Sequence, residues 1–136
     1  MKRNPGAKEI GVAYVQHAPG GSPYFARSFG PIAGLSTYNP KIKTLVAAFP
    51  TPVTFDADTT MQHVSDWLTK YGKDLKGICA SDDSAQSLGV FRALEKAGRM
   101  DVVVVAAGNS KQGIDLELRG HDVGDHGDTT SGRVPR

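Results

Sequence analysis

The chain has 136 residues, 39% of them hydrophobic and 22% charged, and its 16 basic and 14 acidic side chains leave a formal charge of +2. That length suits one domain built on a single core. The even charge, with no run of Lys and Arg, gives no ground for a nucleic-acid partner; the single cysteine, Cys79, excludes an intramolecular disulfide and a cysteine-based zinc site; and no stretch approaches the roughly 20 apolar residues of a membrane span.

Apolar runs alternate with segments of helical period, the pattern of a parallel sheet wrapped by helices. The expected class is α/β, a doubly wound parallel sheet of four to five strands with helices on both faces. The N-terminal stretch "MKRNPGAKEIGVAYVQHAPGG" has a short apolar segment broken by Tyr14 and Gln16 and no small-residue cleavage pattern, so it does not read as a signal peptide. As written, the chain is expected to stay in the cytoplasm. The first strand covers residues 9–15 and leads into a helix over 24–35, which Asn39 and Pro40 close.

The second strand, 41–49, stops at Pro50 and Pro52, and a helix over 58–71 follows with Asp58 as N-cap. Met61, Val64, Leu68 and Tyr71 share one face of it, with Trp67 at the border as core packing or, alternatively, as a stacking platform. Cys79 lies in the third strand, 76–80, as a small core residue. The helix over 84–97 turns Val90, Phe91, Leu94 and Ala97 inward and is capped by Gly98. The run "DVVVVAAG" from Asp101 is apolar enough to lie centrally, covered on both faces, and a short helix over 110–118 follows.

The domain thus spans 1–119, and residues 120–136, "GHDVGDHGDTTSGRVPR", read as an unstructured tail. His121, Asp122, Asp125, His126 and Asp128 carry donor atoms there, but the tail has two valines as its only large apolar residues, too few to fix them, so no metal site is expected.

In an open parallel sheet, ligands bind beyond the carboxyl ends of the strands. The polar clusters fall there: Gln16, His17 and "PGGSPYFAR" after the first strand, Thr51, Thr54 and Asp56 after the second, "SDDS" at 81–84 after the third, and "GNS" at 108–110 after the fourth. Ser81, Asp82, Asp83 and Ser84 have two readings, as helix caps and as acceptors for the hydroxyls of a solute. "PGGSP" lacks the Lys and Ser/Thr of a phosphate loop, and no G-x-S-x-G, H-E-x-x-H or His–Cys arrangement occurs. The chain is therefore expected to bind without catalysis and without a cofactor.

"RSFGPIAGLSTYNPKIKTL" and "MQHVSDWLTKYGKDLKGICASDDSAQSLGVFRALEKAGRMDVVVVAAGNS" resemble the C-terminal lobe of type I periplasmic binding proteins, the sugar-binding subunits of ABC transporters, over residues 8–120. The resemblance implies a two-lobed trap for a sugar or similar polar solute, an ABC permease as partner in the full-length context, and a periplasmic location. By position it implies that Arg27, Ser81, Asp82, Asp83 and Asn109 hydrogen-bond the solute while Tyr24 or Phe25 stacks on a sugar face. Gly108 and Asn109 stand where the family commonly has Asp-Gly, so a carboxylate is missing there. With no first lobe and a change of composition at Gly120, the expectation is a truncated fragment.

Two other readings share this kind of fold. The effector domain of a LacI-like repressor would carry a helix-turn-helix ahead of the core, which the sequence lacks. A receiver-like phosphoacceptor domain would need acids after the first strand, where Gln16 and His17 stand.

Overall fold

The computed structural model describes residues 9–17, 21–48 and 56–124. Strands β1 (Ile10–Val15), β2 (Ile42–Ala48), β3 (Leu75–Ala80) and β4 (Val103–Ala106) pair in the order β2-β1-β3-β4, every neighbour parallel. Helices α1 (Ser22–Tyr38), α2 (Ala57–Tyr71), α3 (Ala85–Ala97) and α4 (Lys111–Gly124) alternate with them. This is the expected doubly wound α/β sheet, with four strands.

Successive β1 side chains point to opposite faces, and both faces are covered, so all six residues are buried. Ile10, Val12 and Tyr14 join Ile42 and Cys79 under Ile32 and Leu35 of α1. Ala13 and Val15 join Leu75, Ile78 and Ala80 under Val64 and Trp67 of α2 and Val90, Ala93 and Leu94 of α3. The pairing of β1 with β3 slips by one residue between Gly11 and Val12, which lets Leu75 and Ile78 serve the same face despite their odd spacing.

Helix ends follow local chemistry. The cap of α2 is Asp56 and not Asp58: its carboxylate accepts the amides of Asp58 at 3.1 Å and Thr59 at 3.2 Å. The Thr59 hydroxyl also donates to it, and these bonds hold the Asp56 carboxyl below its ordinary range. At the end of α3, Gly98 adopts φ 66°, a left-handed value that glycine accepts without strain. Arg99 then clamps the α2–β3 connection, donating to the carbonyls of Gly72 at 2.8 Å and Leu75 at 3.1 Å while it pairs with both oxygens of Asp101. That guanidinium keeps the Asp101 carboxyl below its usual range.

Three further expectations are corrected. β4 does not lie centrally: among the described residues it pairs only with β3, and Val105 is 56% exposed because α1 packs over β1 and β2 and leaves that face of β4 open. An all-apolar strand reports that both faces tolerate burial, not that this chain's helices cover both. Helix α3 buries Ala93 and leaves Ala97, in its last turn, exposed. Helix α4 continues through Gly120 to Gly124, since a glycine inside a helix costs only about 1 kcal/mol against alanine and does not by itself end one. Residues 125–136 of the expected tail lie outside the described residues. Among the described residues, no helix is long and apolar enough to cross a membrane.

Cys79 sits on the α1 face of β3, and burial pushes its thiol up to about 11. The thiolate is the reactive form, so iodoacetamide at pH 7.5 is expected to leave the native chain unmodified and to label the urea-unfolded chain fully, read by mass spectrometry. Rapid labelling of the native chain would contradict this placement.

Candidate functional site

The sheet order sets the C-terminal ends of β1, β3 and β4 side by side, and a polar turn follows each. At the end of β1, Gln16 and His17 are buried. The Gln16 amide donates to the Ser28 carbonyl at 3.1 Å and the His17 backbone amide to the Ser28 hydroxyl at 3.4 Å, fixing the first turns of α1 against the strand. The His17 ring meets Tyr24 edge-on, with centroids 5.4 Å apart, and the Arg27 guanidinium lies over the Tyr24 ring at 5.1 Å. Stacking on an aromatic face holds a guanidinium in place while its N–H donors stay in the plane of the group. Through Tyr24 and His17, Arg27 lies near the carboxyl end of β1, the strand that neighbours β3. The Phe25 side chain, together with Thr51 and Thr54, lies outside the described residues.

At the end of β3 the chain turns through Ser81–Ser84 into α3. The Ser81 amide still donates to Val15, and its hydroxyl donates to Gln86 Oε1 at 3.0 Å, which also accepts the Asp82 amide at 3.1 Å. Asp82 Oδ2 accepts the Ser84 amide at 3.1 Å and the Ser84 hydroxyl at 2.7 Å, a cap for the first turn of α3. The Ser87 hydroxyl donates to the Asp82 carbonyl. Ser81 and Asp82 are both buried by these contacts. Each carboxylate oxygen has two lone pairs, and the described bonds of Asp82 all fall on Oδ2, which leaves Oδ1 as an acceptor.

Gln86 was not singled out in the sequence, yet it organises this turn. No capping-box spacing marks it: Gln86 is the second residue of α3, and its Oε1 reaches back four residues to the Asp82 amide and five to the Ser81 hydroxyl. Among the described residues its Nε2 has no partner, and its side chain is fully buried.

At the end of β4, the Ala107 amide donates to Ala80 and extends the sheet by one bond. The Ser110 hydroxyl caps α4 by accepting the Gly113 amide at 2.9 Å. The Ser110 amide donates to Asp83 Oδ2 at 2.7 Å, across 27 residues of sequence. Asn109 is exposed beside it. A cavity of about 220 Å³ opens at this point, lined by Asp83, Ser87, Phe91, Asn109, Gly113 and Ile114 among others.

A larger groove of about 320 Å³ lies on the α1 face, between Pro31, Gly34 and Leu35 and the strand residues Cys79, Val103 and Val105. Its lining offers no polar side chain apart from the thiol, so it cannot orient a hydroxylated molecule by hydrogen bonds. The turns at the strand ends differ: there the Asp82 carboxylate accepts hydrogen bonds and the Asn109 amide can both donate and accept.

No protein-family profile matches the chain, and no curated protein matches it. Solved structures do. A carbohydrate transporter solute-binding protein from Agrobacterium radiobacter, in complex with D-arabinose, superposes with a TM-score of 0.72 at 21% identity, covering 88% of this chain and 39% of its own. A solute-binding protein of an ABC transporter from Agrobacterium vitis, with bound allitol, gives 0.62 at 23% identity over 73% of this chain and 34% of its own. A sugar ABC transporter protein from Yersinia enterocolitica gives 0.65 at 26% identity over 82% and 32%. The chain thus has the type I periplasmic-binding-protein fold found in sugar ABC transporter solute-binding proteins, and it spans under two-fifths of the length of these structures.

Proposed function

We propose that the chain is a solute-binding lobe of an ABC importer, gripping an uncharged, hydroxyl-bearing solute such as a sugar or polyol without transforming it. Two observations support this reading: Arg27 stacks on Tyr24 beside His17 at the end of β1, and the Asp83–Ser110 bond ties together the turns that follow the neighbouring strands β3 and β4. Arg27 donates to solute oxygens, Tyr24 covers an apolar sugar face, Asn109 donates and accepts, and the Asp82 carboxylate accepts hydroxyl protons through Oδ1, the oxygen not committed to capping. Ser81 forms the floor.

The solutes named for the structural relatives, D-arabinose and allitol, have the hydroxyl-rich chemistry that these groups suit. In this reading a second lobe completes the cleft and excludes water on closure. An ABC permease then receives the solute at the periplasmic face of the membrane.

The test is a thermal-shift screen with pentoses, hexoses and polyols, D-arabinose and allitol among them. A solute at ten times its Kd stabilises the folded chain by about 1.4 kcal/mol, a rise of about 5 °C for a domain of this size. Arg27→Ala is expected to abolish the rise while leaving the melting temperature without solute unchanged. A folded wild-type chain whose melting temperature no member of the panel raises would remove the proposal.

A further inference from the structure

We propose that Asp83 is a positioning residue, whose carboxylate holds the Gly108–Ser110 turn and with it the exposed Asn109 at the rim. The inference rests on the binding reading only where it says that Asn109 meets solute; the clamp itself stands apart from it.

Three contacts confine that carboxylate. Its Oδ2 accepts the Ser110 amide at 2.7 Å, at the amino end of α4, where unpaired backbone N–H groups favour negative charge. Gly108 borders it so closely that a Cβ there would stand 2.3 Å from its Cγ and Oδ1. Gly113 borders it on another side, with a Cβ position 2.5 Å from Oδ2. A side chain at either glycine would evict the carboxylate, so the turn and the Asp83 side chain occupy one space only as a fitted set.

The neighbouring Asp82 behaves differently, because its described bonds stay within its own turn. Among the described residues, Asp83 to Ser110 is the one side-chain hydrogen bond that joins the turn after β3 to the turn after β4. β4 is an edge strand among the described residues, with no further strand to brace its turn from the other side. Asp83 supplies that brace, and the direction in which Asn109 faces follows from it.

The experiment uses the ¹⁵N-labelled full chain and reads Ser110 amide hydrogen exchange together with affinity for the best solute of the panel. Asp83→Ala is expected to speed Ser110 exchange by about tenfold or more, the effect of losing a hydrogen bond to a charged group, with the Val64 and Leu94 amides unchanged. Gly108→Ala, which keeps the Asp83 carboxylate in the chain but displaces it, is expected to do the same, and Asp83→Asn, which keeps a carbonyl acceptor, is expected to retain most of the protection. Asp83→Ala and Asn109→Ala should each weaken solute binding, and the double variant should bind no worse than the weaker single one.

Unchanged Ser110 exchange in both Asp83→Ala and Gly108→Ala would overturn the clamp. Additive losses of affinity in the double variant would overturn the positioning role and assign Asp83 a solute contact of its own. If no solute binds the wild-type chain, the binding reading fails, while Ser110 exchange still decides the clamp.

Discussion

Trp67→Ala is expected to lower the stability of the chain by about 3–5 kcal/mol, the range for truncating a large buried aromatic. Trp67 is 6% exposed and lies with Val64 on the face of α2 that packs against Ile78, Val90 and Leu94. Truncation removes the transfer free energy of the indole and leaves a cavity that two packed helices and a sheet cannot close. A small domain has about 5–15 kcal/mol in total, so the variant loses a large share of its native population. Equilibrium urea unfolding measures the loss. The same variant separates the two roles open to a tryptophan at this position: a stacking platform would change solute affinity at nearly constant stability, and core packing does the reverse. A loss under 1 kcal/mol would contradict the packing role.

Gly89→Ala is expected to destabilise by about 1–3 kcal/mol, although alanine is the better helix former by about 1 kcal/mol. The two effects oppose each other, and local geometry decides between them. A Cβ on Gly89 would stand 2.4 Å from the Ala57 carbonyl oxygen, 2.7 Å from Thr60 Cβ and 3.0 Å from the Met61 amide nitrogen. None of these is the free end of a flexible side chain, so α2 and α3 must move apart and loosen the core between them. Gly30→Ala in α1, where nothing lies within 4 Å of the new methyl group, is the control and is expected to gain up to about 1 kcal/mol. A neutral or stabilising Gly89→Ala in the same urea experiment would show that the two helices do not cross so closely.

The sheet and its helices were legible in the sequence because their signals are local. Four short apolar runs separated by helical periods imply parallel strands, and Gly98 marks the end of α3 because few other residues accept its backbone angle. The cap of α2 is not legible in this way: Asp56 and Asp58 are equally good caps by type, and only the turn geometry selects the first. The edge position of β4 was not legible at all, since strand composition does not report which neighbours a strand has.

The candidate site divides in the same way. Asp82 could be read as a cap from its place before a helix, but the tie from Asp83 to Ser110 joins residues with no periodic relation in the chain. The resemblance to periplasmic binding proteins implies that a carboxylate is missing at Gly108 and Asn109. The structure sets the carboxylate of Asp83 where a side chain at Gly108 would begin.

The most direct test of the binding account is a titration of the ¹⁵N-labelled chain with the panel solute that raises its melting temperature most, followed by amide chemical shifts. The account predicts that the shifted amides cluster at Gln16 and His17, Tyr24 to Ser28, Ser81 to Ser84 and Ala107 to Ser110. Shifts confined to the apolar groove around Leu35, Cys79, Val103 and Val105, with the rim silent, would contradict it.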